Sequence, residues 1–241
     1  MPYEESAILS LTKKATMGDM LSMILHQWKQ PLSIISILNT SMDFQLECDK
    51  FDKERFLAYN TKIKEQIDYM SETMYDFKDF LLEDKEKRTI NIKTCIERAI
   101  KFTTIALKKN EIEYTMNYHT LKSEIWGFNN DISQILIIFI LNATDKLSLL
   151  STPTKKITID VDEDNENLLI CVKDNGGLID EAILDVIFDE SFTTKEEKNG
   201  NGLGLYIARR IAKERLNGQI FVENNEEENS VIFTLSIPCS E

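Results

Sequence analysis

The stretch MGDMLSMILHQWKQPLSIISILNTSM, residues 17–42, decides the N-terminal fold through the spacing of its apolar residues. These residues recur in alternating steps of four and three, the heptad spacing that keeps one seam of a helix against a partner helix. They are Met17, Leu21, Ile24, Trp28, Pro31, Ile35, Leu38 and Met42. The spacing therefore predicts a long helix with one buried seam.

A second segment with the same spacing follows a charged break at residues 47–53. Its seam residues are Ile63, Ile67, Met70, Met74, Phe77 and Leu81. We expect the two helices to form a hairpin. A lone hairpin leaves much apolar surface in water, so pairing of two hairpins predicts a homodimer built around a four-helix bundle. The polar run EDKEKR, residues 83–88, ends the helical pattern and predicts a first domain over residues 1–87.

From residue 88 onward, helical patterns alternate with short segments rich in β-branched residues. Helices are predicted at residues 92–108, 131–150 and 203–216, and strands at residues 111–118, 156–162, 167–173, 218–223 and 231–237. Strands and helices mixed at this spacing are typical of an α+β fold in which helices cover one face of a sheet. We expect residues 88–241 to form such a two-layer sandwich domain.

The overall charge and hydropathy exclude several classes of partner. The chain carries 28 basic and 41 acidic residues, a net charge of -13, and no local basic patch, so we expect neither nucleic acid nor an anionic membrane surface as a partner. The longest apolar run, ILIIFIL at residues 135–141, is far shorter than the roughly 20 residues of a membrane helix. A cytoplasmic chain without membrane insertion is the prediction. The four cysteines form no C-x-x-C pair, which argues against a Cys/His metal site.

His26 precedes Pro31 by five residues in the first helix. In the heptad frame this histidine lies two positions after a seam residue, on the face turned away from the bundle core. A solvated surface histidine is the ordinary explanation. However, the proline ring removes a backbone hydrogen bond and clashes with the carbonyl group of Gln27, at a cost of about 3 kcal/mol in a helix interior. The retained proline predicts local loosening of the helix and a functional role for His26.

Four further segments of the second domain carry chemistry. ILNATDKL, residues 140–147, places Asn142 inside an apolar helix, where its amide needs partners; a core Asn bonded to a neighbouring helix explains this equally well. DNGGLID, residues 174–180, follows a strand and alone resembles a hairpin turn. GNGLGL, residues 200–205, opens a helix with bare backbone N–H groups that favour phosphate. IFDESFTTK, residues 187–195, begins a lid-like segment.

In this order the motifs resemble those of the sensor histidine kinases of two-component signalling over nearly the whole chain. HQWKQPL, residues 26–32, is similar to their phosphoacceptor box and ILNATDKL to their N box. DNGGLID and GNGLGL resemble the two glycine boxes, and IFDESFTTK resembles the F box. The resemblance implies a dimerisation and phosphotransfer hairpin followed by an ATP-binding catalytic domain of the fold shared with Hsp90-type chaperones, DNA gyrases and MutL repair proteins.

The resemblance also implies roles for individual residues. His26 would accept the γ-phosphoryl group of ATP, Asn142 would bind Mg²⁺, and Asp174 would accept a hydrogen bond from the adenine amino group. The expected nucleotide-binding residues are Asn142, Lys146, Asp174, Gly176, Lys195, Gly200, Gly202, Leu203 and Gly204. Among them, Lys146 and Lys195 are candidates for direct charge contacts.

Four positions depart from or vary the family pattern. Gln27 stands where most relatives carry Glu or Asp, and an amide cannot act as the base. Gln30 stands where many relatives use Thr or Asn to position water, so we expect retained phosphatase activity toward the partner. Ile138 replaces a second Asn one turn before Asn142, and Leu178 replaces the last glycine of the first glycine box; both predict weaker metal or nucleotide binding.

These observations predict a homodimeric, ATP-dependent protein histidine kinase that passes its phosphoryl group to an aspartate on the receiver domain of a response regulator. An upstream sensor domain or subunit would supply the signal. Two alternatives stay open. An ATPase of the same fold could drive a conformational clamp, although a clamp needs no exposed nucleophile. A degenerate kinase could serve as a docking scaffold, which Gln27, Ile138 and Leu178 favour.

Overall fold

A computed structural model of the protein describes residues 28–48, 51–81, 86–122, 124–151, 154–164, 166–190, 192–193 and 202–239. The chain divides into two compact units. In the described ranges, one unit holds residues 28–81 and the other holds residues 86–239. Each unit has its own fold.

The described part of the N-terminal unit consists of two helices, in agreement with the heptad spacing. Residues 28–47 are helical (α1), and α2 spans Lys53–Leu81. Asp52 caps α2, because its Oδ1 accepts hydrogen bonds from the backbone nitrogens of Glu54 at 3.0 Å and Arg55 at 3.2 Å. The short connection between the helices therefore ends in a defined helix start.

The less exposed stripe of α2 differs from the predicted seam. It is formed by Phe56, Tyr59, Ile63, Gln66, Met70 and Thr73, which follow each other in alternating steps of three and four. Two predicted seam residues, Ile67 and Met74, are instead 50% and 52% exposed. The reason is that α2 carries apolar side chains on two adjacent stripes, and periodicity alone does not tell which stripe is buried within the unit.

The N-terminal unit keeps a large apolar surface exposed. Its exposed large apolar side chains include Leu32, Ile37, Phe44, Leu46, Leu57, Ile67 and Met74. Scattered single apolar residues are normal on a protein surface, but this many on two helices provide apolar surface that another protein can cover.

The C-terminal unit contains a five-stranded sheet and a two-stranded sheet. The larger sheet has the strand order β2-β4-β5-β7-β6, in which β2 and β4 are parallel and the other neighbours are antiparallel. Its strands are β2 (Ile112–Tyr118), β4 (Lys155–Glu163), β5 (Asn167–Asp174), β6 (Gln219–Asn225) and β7 (Ser230–Pro238). The smaller sheet pairs β1 (Arg88–Asn91) with β3 (Glu124–Gly127) and was not predicted.

Helices cover one face of the larger sheet. They are α3 (Ile92–Lys109), α4 (Asn129–Ser148) and α6 (Gly204–Arg215), and a short α5 (Glu181–Leu184) follows β5. Alternate residues of the central strands, such as Ile157 and Ile159 of β4, are fully buried beneath them. The predicted α+β fold with helices on one face of the sheet is confirmed.

The helix α4 forms the centre of this unit. Its residues Ile135, Leu136, Ile137, Phe139 and Ile140 are all fully buried, which accounts for the apolar run in the sequence. An ion pair between Asp131 at its start and Arg215 at the end of α6 joins the two helices. None of the helices in the described ranges combines the length and the apolar character needed to cross a bilayer.

Candidate functional site

Three side chains of α4 lie one helical turn apart and share one face of the helix: Ile138, Asn142 and Lys146. The middle one, Asn142, carries a buried amide nitrogen, Nδ2, that finds no hydrogen-bond partner within the described part of the chain. An unsatisfied buried amide costs about 1–3 kcal/mol. Such a group fits a site whose partner is a ligand.

Asp174 ends β5 and is 2% exposed. Burial raises the pKa of its carboxyl group, and two neighbours oppose that shift: the backbone N–H of Gly176 and the positive charge of Lys146. The nitrogen of Gly176 donates to Oδ1 of Asp174 at 2.9 Å. A buried carboxylate with few partners is a strong hydrogen-bond acceptor for a ligand that donates.

Lys146 connects α4 to the loop that follows Asp174. Its ammonium group donates a hydrogen bond to the carbonyl oxygen of Gly177. Its aliphatic stem runs along Gly176, because a Cβ atom added to that glycine would lie 3.1 Å from Cδ of Lys146. Burial lowers the pKa of Lys146, and the nearby carboxylate of Asp174 partly offsets this effect.

Glycine and asparagine residues fix the loop at residues 174–180. Gly177 has a φ angle of +90°, a conformation that side chains rarely adopt. On the far side of the loop, the side chain of Asn224 makes two hydrogen bonds to the backbone of Ile179. It accepts one from the nitrogen of Ile179 at 2.9 Å and donates one to the carbonyl oxygen of Ile179 at 2.8 Å. Leu178 is 42% exposed, so its side chain is not part of the core.

The described end of the second glycine-rich motif lies beside α4. Gly202 has a φ angle of +66°, and Gly204 is the first residue of α6. The N-cap residue, Leu203, makes no side-chain cap hydrogen bond, and the N-terminus of a helix presents backbone N–H groups to an anion. A Cβ atom on Gly204 would lie 3.5 Å from Cγ2 of Ile138. The start of α6 therefore lies one turn of α4 away from Asn142.

The segment after the first glycine motif is anchored in the core by Phe188, which is 8% exposed. Its ring meets the ring of Phe233 edge-on at a centroid distance of 6.4 Å, and Phe233 in turn contacts Phe139 of α4 at 5.3 Å. Phe188 thus fixes the near end of the segment that leads to residues 194–201.

The predicted site residues fall into three groups. Asn142, Lys146, Asp174 and Gly176 come together around α4 and the end of β5, and Gly204, which follows Gly202 and Leu203, lies beside Ile138. Gln30 is exposed on α1, in the other unit. His26, Gln27, Lys195 and Gly200 lie outside the described residues. Asn224 was not predicted, because an asparagine near a strand end carries no signal of its own in the sequence.

The donor set limits the metal that the site could hold. The described residues contain no cluster of three or more His, Cys, Asp or Glu side chains that could hold an ion unaided. Mg²⁺ is usually bound by one or two protein oxygens together with substrate phosphates and water. The amide oxygen of Asn142 fits that arrangement. The nitrogen of the same amide has no hydrogen-bond partner among the described residues, and the oxygen and nitrogen of a side-chain amide are assigned from the partners that they meet.

Residues 127–241 match the family of histidine kinase-, DNA gyrase B-, and HSP90-like ATPases. Among curated proteins, the two-component sensor PprA of Pseudomonas aeruginosa is 24% identical over 240 residues, which cover 95% of this chain and 25% of PprA. The chain spans about a quarter of the length of the first curated relatives that it matches.

Solved structures show the same fold. The nucleotide-free catalytic domain of the histidine kinase ThkA superposes with a TM-score of 0.56 at 27% identity, over 64% of this chain and 96% of that domain. A structure of ThkA in complex with the response regulator protein TrrA is 24% identical, with a TM-score of 0.53 over 99% of this chain and 66% of ThkA. Residues 127–241 therefore form a domain of the histidine kinase-, DNA gyrase B- and HSP90-like ATPase family, and the curated relatives of the chain are two-component sensors and sensor histidine kinases.

Proposed function

We propose that this chain is an ATP-dependent protein histidine kinase that phosphorylates itself on His26 and passes the phosphoryl group to an aspartate on a response regulator receiver domain. The observation that supports the proposal is one face of α4. On this face Ile138 lies beside Gly204, and Lys146 lies beside Asp174 and Gly177. Between them, the amide nitrogen of Asn142 is buried and has no hydrogen-bond partner among the described residues. This face joins the three nucleotide-binding motifs that the family resemblance implies.

The base of the nucleotide would bind at Asp174. A carboxylate accepts a hydrogen bond from the adenine amino group, whereas it has no proton to donate to the carbonyl oxygen of guanine. The burial of Asp174 keeps water from competing for this acceptor. The proposal therefore includes a preference for ATP over GTP.

The phosphates would bind at the opposite end of the site. The N-terminus of α6 and the backbone of Gly202, Leu203 and Gly204 supply N–H groups and the positive end of the helix dipole. Lys195 and Gly200 complete this end by resemblance to the family. Ile138 fills the position of a second Asn and is 5% exposed, so we expect fewer polar contacts here than in relatives that carry that residue.

Asn142 would hold Mg²⁺ through its amide oxygen. When bound, the ion would neutralise charge that develops on the phosphates during transfer. The chain itself orients the amide, because Asn142 lies on the central helix of the unit. The amide nitrogen has no hydrogen-bond partner among the described residues, so it can donate to the ligand.

In the transfer step, an imidazole nitrogen of His26 attacks the γ-phosphorus atom. A nitrogen–phosphorus bond forms, the bond from phosphorus to the bridging oxygen breaks, and ADP leaves with the electron pair. The imidazole proton passes to solvent, because the amide of Gln27 cannot accept it. General-base help is typically worth about 10²–10⁴-fold in rate, so we expect a slower kinase than relatives with a carboxylate at this position.

The N-terminal unit would supply the dimer interface and the docking surface for the regulator. Its exposed apolar side chains support a homodimer in which two pairs of helices form a four-helix bundle. The ThkA structure in complex with TrrA supports a response regulator as the partner class. In this proposal, residues 1–87 form the dimerisation and phosphotransfer domain and residues 88–241 form the catalytic domain. The chain is cytoplasmic, and an upstream sensor domain or subunit supplies the signal.

The proposal is tested by incubating the chain with ATP labelled on the γ-phosphate. We expect label on the protein that survives alkali and is lost in acid, as a phosphoramidate is. The His26→Ala variant should take up no label, and the matched control His119→Ala, which replaces the exposed histidine next to Asp160, should label like the parent. ATP hydrolysis without protein label would favour the clamp, and absence of ATP binding would favour the scaffold.

A further inference from the structure

We propose that Lys146 is a positioning residue for the adenine end of the site, which holds the Asp174 loop in its binding conformation and acts on the base rather than on the phosphates. The inference deepens the proposed function and rests on it. It assigns a role to a cation that charge alone would place at the phosphates.

The first argument is the position of Lys146 along α4. Ile138 and Lys146 are eight residues apart, which is about 12 Å along a helix axis, with Asn142 midway between them. The glycine-rich start of α6 lies beside Ile138, at one end of this row. Lys146 is at the other end, where Asp174 and the first glycine motif lie. An ammonium group at this end faces the base.

The second argument is the set of contacts that the side chain of Lys146 makes. Its ammonium group is bonded to the carbonyl oxygen of Gly177, and its stem lies along Gly176. Both glycines belong to the loop whose conformation presents Asp174, since the nitrogen of Gly176 donates to the Asp174 carboxylate. Lys146 therefore fixes this loop from the α4 side, while Asn224 fixes it at Ile179 from the β6 side.

The third argument is charge. Lys146 lowers the pKa of Asp174 by attraction and so opposes the effect of burial. The residues paired with Asp174 on the two neighbouring strands are uncharged: Ile157 of β4 and Val231 of β7. Lys146 is thus a neighbouring charge that favours the ionised form of this buried carboxylate.

The test measures ATP and AMP binding by calorimetry between pH 5 and pH 8, after circular dichroism has shown that each variant is folded. For Lys146→Met we expect ATP and AMP affinities to fall by the same factor, on the order of tenfold. Because the ionised carboxylate of Asp174 is the stronger acceptor for the adenine amino group, binding weakens as the pH falls through the pKa of Asp174. Without the lysine that pKa is higher, so the loss should begin at a higher pH.

Two variants serve as controls. Lys146→Arg keeps the charge and a donor and should restore most of the affinity and the parent pH profile. Lys93→Met removes a lysine that is 62% exposed on α3 and should change neither. If Lys146→Met does not fold, Lys146→Gln takes its place, with the same expected shift in the pH profile.

Three results would overturn the inference. A loss of ATP affinity with AMP affinity unchanged would show that Lys146 acts on the phosphates. An unchanged pH profile in a folded variant would reduce its role to packing, and unchanged affinity for both nucleotides would remove any role. If the parent chain binds neither nucleotide, the proposed function itself fails, a result distinct from any of these.

Discussion

The side-chain amide of Asn224 makes two hydrogen bonds to the backbone of one residue, Ile179: it accepts from the nitrogen at 2.9 Å and donates to the oxygen at 2.8 Å. This pair ties the loop after Asp174 to β6, on the side opposite Lys146. Two opposed attachments leave the loop little freedom, so it needs little ordering when a ligand binds.

Replacing Asn224 by Ala should loosen this loop. Loss of two hydrogen bonds at a partly buried position predicts a decrease of about 1–2 kcal/mol in the free energy of unfolding, together with a several-fold loss of ATP affinity. Urea unfolding and calorimetry measure the two effects. Asn117→Ala, which breaks an exposed bond to Asp160, is the control and should leave ATP affinity unchanged. Equal ATP affinity in Asn224→Ala would show that the loop holds its conformation without this residue.

Gly176 lacks the space for a side chain. A Cβ atom at this position would lie 2.8 Å from Oδ1 of Asp174 and 3.1 Å from Cδ of Lys146, so Gly176→Ala must displace one of these groups. We expect a loss of ATP affinity of tenfold or more with the fold retained. At Gly127 the nearest atom would be Ile90 Cδ1 at 3.4 Å, an ordinary contact, so Gly127→Ala should bind ATP like the parent. Tight binding by Gly176→Ala would contradict the site geometry.

The buried, ionised carboxylate of Asp174 should lower the free energy of unfolding. Burial raises its pKa in the folded state, so between the unfolded value near 3.8 and the raised folded value the folded chain binds more protons than the unfolded chain. Stability from this group is therefore greatest below that window and declines as the pH rises through it. Asp174→Asn, which keeps the acceptor for Gly176, should be more stable than the parent at pH 7 and should lose this advantage toward pH 3.

Urea unfolding of both proteins at several pH values measures this difference. The same Asp174→Asn variant should bind ATP poorly, because an amide turned to accept from Gly176 presents its donor group to the adenine amino group. A parent that is the more stable of the two at pH 7 would show that hydrogen bonds and Lys146 more than compensate the carboxylate for burial.

Arg215 should matter for folding rather than for binding. Its guanidinium group pairs with Asp131, whose side chain is 4% exposed, and lies 4.0 Å from the centre of the Phe128 ring. Arg215→Met deprives a buried carboxylate of its cation, which typically costs about 3–5 kcal/mol. Arg209→Met breaks a pair with Asp189 in which both side chains are more than half exposed, so its cost should be within about 1 kcal/mol. Similar costs for the two variants in urea unfolding would refute this assignment.

Much of the catalytic-unit fold could be predicted from periodicity. The helix α4 and the strands β4, β5 and β7 were predicted because long apolar patterns record which face is buried. The strands β1 and β3 were missed because each has only four residues, too few for a periodic signal, and each is defined by its partner. Of the predicted α2 seam, Ile63 and Met70 lie in the less exposed stripe and Ile67 and Met74 do not, because two apolar stripes lie side by side on that helix.

The residues of the candidate site also divide into those that could be predicted from the sequence and those that could not. Asn142 could be singled out in the sequence because an amide is unusual in an apolar helix, whereas Asp174 was predicted from the resemblance of DNGGLID to the first glycine box. The contact of Lys146 with Gly177 could not be found, because it joins residues 31 positions apart through the packing of α4 on β5. Asn224 was missed for the same reason, since Ile179 is 45 positions away in the sequence.

The central claim is that the face of α4 around Asn142 binds magnesium and ATP, and calorimetry with ATP tests it most directly. The parent should bind ATP more tightly with Mg²⁺ than with EDTA, and Asn142→Ala should lose this difference, about ten- to a hundredfold in affinity. Asn39→Ala, an exposed position on α1, should bind like the parent. Magnesium-dependent ATP binding that is undiminished in Asn142→Ala would contradict the account.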